Sequence, residues 1–165
     1  MLAKVLEWIS KPKLPTRHIS LDEAVAKFTS TPSAWFLCHG EEYSWPDPDS
    51  THGFGLSNVN ASVHGHHLAD MEVLYVQGST LTIGHLGVQT HVVQRGVGKA
   101  LVKAFAKEVG HRYGVSRIVF AENATNYHQK GYGKFFARIG ATALPIDPLR
   151  HKPNRPDFEW LEANW

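Results

Sequence analysis

Cysteine is almost missing from this chain: its 165 residues include one, Cys38. A single thiol excludes an internal disulfide framework and a cysteine-rich zinc site. That usage fits a reducing, cytoplasmic compartment. No apolar run approaches the roughly 18 residues that a membrane-spanning helix needs, so no membrane partner is expected. The first residues, MLAKVLEWISKPK, do not read as a secretory signal, because Lys4 and Glu7 interrupt the apolar stretch. Charge of one sign is also lacking. The net charge is +2 with histidine neutral, and the basic residues are spread along the chain rather than gathered in a stripe. Nucleic acid is therefore not expected as a partner. With 42% hydrophobic and 19% charged residues, disorder, coiled coil and collagen are excluded. Residues 1–165 read as one domain with room for a real core.

Histidine is what the chain has in excess, with eleven residues against two methionines. Such a set either binds metal, moves protons near neutral pH, or is incidental.

The spacing of apolar residues gives a coarse map. Residues 2–9 read as a short helix and residues 14–19 as a strand. Ser20 and Glu23 form a capping box ahead of a helix over 21–28. Residues 34–38 look strand-like, and residues 41–55, with Pro46 and Pro48, read as a loop. Residues 57–64 form an edge strand. Strands 70–76 and 81–88 flank a Gly78-Ser79 turn of the two-residue hairpin kind. That turn sets the register: Val76 faces Leu81, Leu74 faces Ile83, and Glu72 faces His85. Val97, Leu101, Phe105 and Val109 mark a helix over 97–109, with Gly110 as its terminator. Residues 116–121 are a strand, 132–139 a helix ended by Gly140, and 158–165 a final strand. The order is that of a mixed α/β or α+β domain.

The sharpest local feature is Gln94-Arg95-Gly96-Val97-Gly98-Lys99, between a strand and a helix. The first amides of a helix have no acceptors of their own and carry partial positive charge. Glycines let a phosphate approach them, and Arg95 and Lys99 add charge. The pattern is neither a Walker A loop nor a Rossmann fingerprint. A plain tight turn from strand to helix remains the other reading.

The surrounding stretch, LTIGHLGVQTHVVQRGVGKALVKAFAKEVG, resembles the core motif of the GNAT acetyltransferases. Leu86-Gly87-Val88 fills the strand end and Gly96-Val97-Gly98 the glycine positions. Downstream, SRIVFAENATNYHQKGYGKFFARIGA is similar to the superfamily's next block, with Asn126 and the segment from Phe135 to Gly140 at its marked positions. The resemblance covers about residues 70–141. It implies the GNAT fold, a mixed and mostly antiparallel central sheet with helices on both faces. It also implies an acyl-CoA site. Backbone groups near Leu86 and Val88 would pair with the pantetheine arm, the amides from Arg95 to Lys99 would hold the pyrophosphate, and Asn126 would lie alongside. The implied activity is transfer of an acetyl group from acetyl-CoA to a primary amine. Three positions depart from the pattern. Val93 stands where the family has Arg or Gln, Phe136 where it has the tyrosine that protonates the thiolate, and Thr82 where many members have a glutamate. These departures keep a catalytically silent CoA-binding or interaction module open.

Amine acylation needs a general base and gains from an acid near the leaving thiol. His85 is the first candidate base, on the strand beside the expected thioester, with Glu72 to orient it across the hairpin. A half-buried histidine satisfied by a carboxylate is the plainer reading. Simple alternation puts His85 on the face opposite Thr82, and a bulge near Gly84 or Gly87 would be needed to re-aim it. Glu122 is the second candidate base. Tyr132, one helical turn before Phe136, is the candidate acid or else a packing aromatic. In the run His64-Gly65-His66-His67, His64 and His66 would share a strand face and invite a metal, but a third ligand is not evident nearby, so none is expected. The amine acceptor is not readable from the sequence, and a homodimer stays open.

Overall fold

The computed structural model describes residues 18–36, 40–41, 53–121, 132–146 and 156–165. The expected helix over 2–9 lies outside these residues, as does most of the expected first strand. Ile19 is described; it is buried and not in a strand.

The sheet is built from β1 (Gly40–Glu41), β2 (Gly53–Leu56), β3 (Val59–Val63), β4 (His66–Gln77), β5 (Thr80–Val88), β6 (Arg117–Phe120), β7 (Thr142–Ala143) and β8 (Phe158–Leu161). Its order is β1-β2-β4-β5-β6-β8-β7, with β3 also paired to β4. Among the described strands only β5 and β6 run parallel; every other described pair is antiparallel. The parallel pair needs a crossover, and helix α2 (Val97–Tyr113) supplies it. Helix α1 (Leu21–Ser30) precedes the sheet, and α3 (Tyr132–Ile139) follows β6.

Local chemistry accounts for most of these boundaries. The Ser20 hydroxyl accepts from the Glu23 amide at 3.1 Å, and α1 buries Ala24, Val25 and Phe28. The β4–β5 turn is Gly78-Ser79, with Gly78 at φ 56°, and the expected register holds: Val76↔Leu81, Leu74↔Ile83 and Glu72↔His85. Strand β4 starts earlier than expected, at His66. It is folded back on β3 by a turn in which His64 and Gly65 both take positive φ, the signature of a type I′ hairpin.

Some boundaries differ from the sequence expectation. Of the strand expected over 34–38, Ala34 instead closes a 3₁₀ turn that Pro32 opens, Trp35 and Phe36 are not in a strand, and the last two positions lie outside the described residues. The expected loop over 41–55 contains strand at both ends, in β1 and β2. Helix α2 runs through Gly110 to Tyr113 and ends at Gly114, which takes φ 67°. Gly110 serves close packing instead: a Cβ there would stand 2.8 Å from the Trp165 ring. The last strand stops at Leu161, and residues 162–164 are a 3₁₀ turn.

Trp160, Phe28, Phe105, Leu68, Met71, Leu81 and Ile83 are fully buried and anchor the core. The Trp160 indole donates to the Ile139 carbonyl at 2.8 Å, tying β8 to the end of α3. No described helix is long and apolar enough to cross a membrane.

Candidate active site

The chain leaves β5 through a 3₁₀ turn at Thr90–Val92 and enters α2 through two left-handed residues, Gln94 at φ 66° and Gly96 at φ 84°. The first bond of the helix runs from the Ala100 amide to the Gly96 carbonyl at 3.0 Å. The amides of Gly96, Val97, Gly98 and Lys99 precede it, so the helix itself supplies them no acceptor. Lys99 is exposed beside them. Arg95 is turned toward α1, where its guanidinium donates to the Asp22 carboxylate at 2.6 Å. A Cβ on Gly98 would lie 3.1 Å from Val88 Cγ2 and 3.4 Å from the Phe135 ring. The end of β5, the start of α2 and helix α3 therefore meet at this glycine.

The same end of β5 runs past its parallel neighbour. The β5–β6 ladder ends at Ile83↔Phe120, followed by one bond from the Ala121 amide to the Ile83 carbonyl at 2.9 Å. On its other side β5 stays paired with β4 as far as Val88↔Ala69. Leu86 and Val88 thus lie beyond the β5–β6 ladder, next to the opening turn of α2.

Between the two stretches, the hairpin changes face. Leu81 and Ile83 are buried, and so is Leu86, which has the opposite parity. Both sets look toward α2. Phe54, paired with Val76 and so level with Leu81, meets Tyr113 of α2 at 5.2 Å, and Val88, level with Leu86 in parity, meets Gly98 of α2. The switch falls at Val73, which takes φ 55° and is 60% exposed. A β-branched residue in the left-handed region is strained. Gly84 opposite it is what makes room: a Cβ there would stand 2.7 Å from the Val73 Cβ. The register is unchanged across the kink, so both strands turn over together. His85 consequently shares the face of Thr82, which plain alternation denies it.

Asp70 lies within ion-pair distance of His85, its Oδ2 3.3 Å from His85 Nε2. Its Oδ1 is 3.3 Å from Nε2 of His67, whose Nδ1 is 2.9 Å from Asn60 Oδ1. The Ser62 hydroxyl donates to the same Asn60 oxygen at 2.7 Å. Two features bring these groups together. A register shift between Ala61 and Ser62 leaves Leu68 as an extra residue of β4, which swings His67 to the side of Asp70. Gly87, paired with Asp70, leaves space for the carboxylate, since a Cβ there would be 2.5 Å from Oδ2. Glu72 takes its expected place opposite His85, yet none of the ion pairs among the described residues joins it to the ring. Asp70 is a carboxylate in reach of the ring. Sequence reasoning missed it, although Asp70 is the diagonal neighbour of His85 in the expected register and faces a glycine.

The other candidates separate. Phe136 is buried, 4.6 Å from Phe120 and 4.7 Å from Phe158 between ring centroids, so the family's tyrosine position holds a core aromatic. Tyr132 opens α3. Glu122 and Asn126 lie outside the described residues. The three clustered histidines diverge: His64 packs on the Trp35 ring, His66 Nε2 meets the Ile19 carbonyl at 2.9 Å, and His67 joins Asp70. Among the described residues no group of three or more acidic, cysteine or histidine side chains is arranged to hold a metal ion.

No protein-family model matches the chain, and no curated protein matches its sequence. Solved structures do. A PaiA N-acetyltransferase from Thermoplasma acidophilum, in complex with coenzyme A, superposes with a TM-score of 0.50 at 13% identity, over 63% of this chain and 59% of that one. A GNAT-family protein from Desulfovibrio desulfuricans gives 0.51 at 14% identity, over 64% and 68%. The chain has the GNAT fold. The GNAT likeness spans under two thirds of the Thermoplasma protein's length, and at such identities it speaks for architecture alone. Within that architecture, the strand that outruns its parallel neighbour and the glycine-opened helix beside it are the parts that form this site.

Proposed function

We propose that the chain is an acyl-CoA-dependent N-acyltransferase that moves an acetyl group from acetyl-CoA to a primary amine by direct transfer. The observation that carries this reading is the meeting, at Gly98, of the overhanging end of β5 with the amides that open α2. That geometry fits a pyrophosphate joined to an extended arm: amides for the anion, strand backbone for the arm. Acetyl-CoA bound there supplies an acyl group on a thioester. Gly96, Val97, Gly98 and Lys99 hold the phosphates through their amides. Gln94 and Arg95 border them, with the Arg95 charge shared with Asp22. The backbone at Leu86 and Val88 lines the arm, and Asn126 is a further candidate for binding the cofactor.

The chemistry forms a carbon–nitrogen bond as the carbon–sulfur bond breaks. His85 takes the proton that the attacking amine loses, and Glu122 is the second candidate for that task. Tyr132 gives a proton to the departing thiolate in place of the tyrosine that Phe136 replaces. An amide near Val88 stabilises the charge that develops on the acyl oxygen.

Calorimetric titration with acetyl-CoA, followed by thiol release over a panel of primary amines, tests the proposal. Saturable binding and amine-dependent release that His85→Ala abolishes are expected. The burial of Phe136 favours a second reading, a CoA-binding module without turnover. Tight binding with no release on any amine would replace the first reading by the second.

A further inference from the structure

We infer, on the strength of the acyl-CoA reading, that Asp22 is a positioning residue for cofactor release. It competes with the bound phosphates for Arg95 and takes the guanidinium back as the cofactor leaves.

Arg95 stands in the turn that opens α2, between the left-handed Gln94 and Gly96 and directly before the amides proposed to hold the phosphates. Its guanidinium is engaged elsewhere. One nitrogen, Nη2, donates to Asp22 Oδ1 at 2.6 Å, and among the described residues Asp22 is its one ion-pair partner. A guanidinium is a fork with further N–H groups, shaped to bind two oxygens of a phosphate at once. A single bond to one carboxylate oxygen leaves most of that capacity unused.

The strengths of the two pairs decide the exchange. The Asp22 side chain is 85% exposed and the Arg95 side chain 33%. A pair so open to water contributes little. A pyrophosphate brings more negative charge, and the amides of α2 hold it beside Arg95. A phosphate seated there draws the guanidinium away from Asp22, whose carboxylate turns to water. Helix α1 does not depend on the pair. It buries Ala24, Val25 and Phe28, Ser20 caps it, and His66 Nε2 meets the Ile19 carbonyl at 2.9 Å just ahead of it. Asp22 therefore sets anion affinity rather than architecture. When CoA leaves, a carboxylate stands ready for the same cation. Affinity differences of this kind fall mainly on dissociation rates, so Asp22 acts on product release.

Calorimetric titration of the full-length protein with CoA and with inorganic pyrophosphate reads the competition, and a stopped-flow chase reads CoA dissociation. Asp22→Asn should tighten both anions about two- to fivefold, the range an exposed ion pair can supply, and slow CoA dissociation by a similar factor. Asp22→Glu keeps the carboxylate and should stay near the wild type. Glu23→Gln removes the same charge one residue further on, from a side chain paired with Lys27 rather than Arg95, and should change little. In an Arg95→Gln background Asp22→Asn should have no effect, because no cation is left to compete for. Tightening that persists in that background would reveal a general field of the carboxylate and overturn the inference, as would equal affinities for Asp22→Asn and the wild type. A wild type that binds neither anion would sink the acyl-CoA reading and the inference together. Affinities that shift as expected in a protein that acylates no amine would uphold the role of Asp22 and sink the transferase reading alone.

Discussion

The β4–β5 hairpin has two halves that obey different rules. Away from the site, Leu74, Val76, Leu81 and Ile83 alternate with outward residues and bury against α2, as a one-sided antiparallel ladder should. Near the site, the same ladder carries Asp70, Glu72, His85 and Gly87, and its buried residues have switched parity. The first half is selected for burial, and its side chains are exchangeable within limits of volume. The second is selected for where individual polar atoms fall, and two glycines are needed for that. One strained valine, Val73, joins them. Stability and chemistry are thus stored in adjacent halves of one hairpin, on opposite sides of a single kink.

That division can be broken by substitution. The largest effect belongs to the site half: His85→Ala should lower acyl transfer by about 10²–10⁴-fold. Its unfolding free energy should change by only about 1 kcal/mol, because the ring is half-buried and outside the core. Comparable loss of stability with activity would mean that the ring is structural. In the other half, Ile83→Ala should destabilise by about 2–5 kcal/mol in a denaturant titration, with the remaining folded protein still binding acetyl-CoA. At the boundary, Gly84→Ala forces a Cβ against Val73 and should cost about 1–3 kcal/mol. Combining it with Val73→Gly should restore more than half of that loss, since the clash and the left-handed strain vanish together. Additive losses in the double variant would show that the kink does not depend on this contact. The smallest effect lies off the hairpin: Ser20→Ala removes the α1 cap at about 1 kcal/mol by thermal unfolding, and should leave transfer unchanged.

How much of this the sequence could tell follows from the same contrast. The Gly78-Ser79 turn fixed the pairing because a two-residue hairpin admits one register, and three expected pairs stand as read. The Ser20 cap, the start of α2 at Val97 and the end of α3 at Gly140 were legible for the same reason: each depends on a few neighbouring residues. The face of His85 was not legible. It depends on a valine in a backbone conformation that valine avoids, made possible by a glycine across the ladder. Gly110 misled as a terminator because its role is set by Trp165, far away in the chain. Asp70 was hidden by the habit of pairing residues straight across a ladder, whereas the glycine opposite it favours a diagonal reach. His67 needed a bulge that no local pattern announces.

The point where β5 parts from β6 also has a meaning in time. The β4–β5 ladder closes through a two-residue turn, so its contacts are local and form early; the β5–β6 ladder must wait until all of α2 has been laid down between its strands. A conservative Leu74→Val change should therefore slow folding, whereas Ile118→Val should mainly quicken unfolding, which paired stopped-flow traces would separate. The notch beside residues 84–88 is where that late ladder stops, so the proposed cofactor groove is the last part of the sheet to acquire its walls.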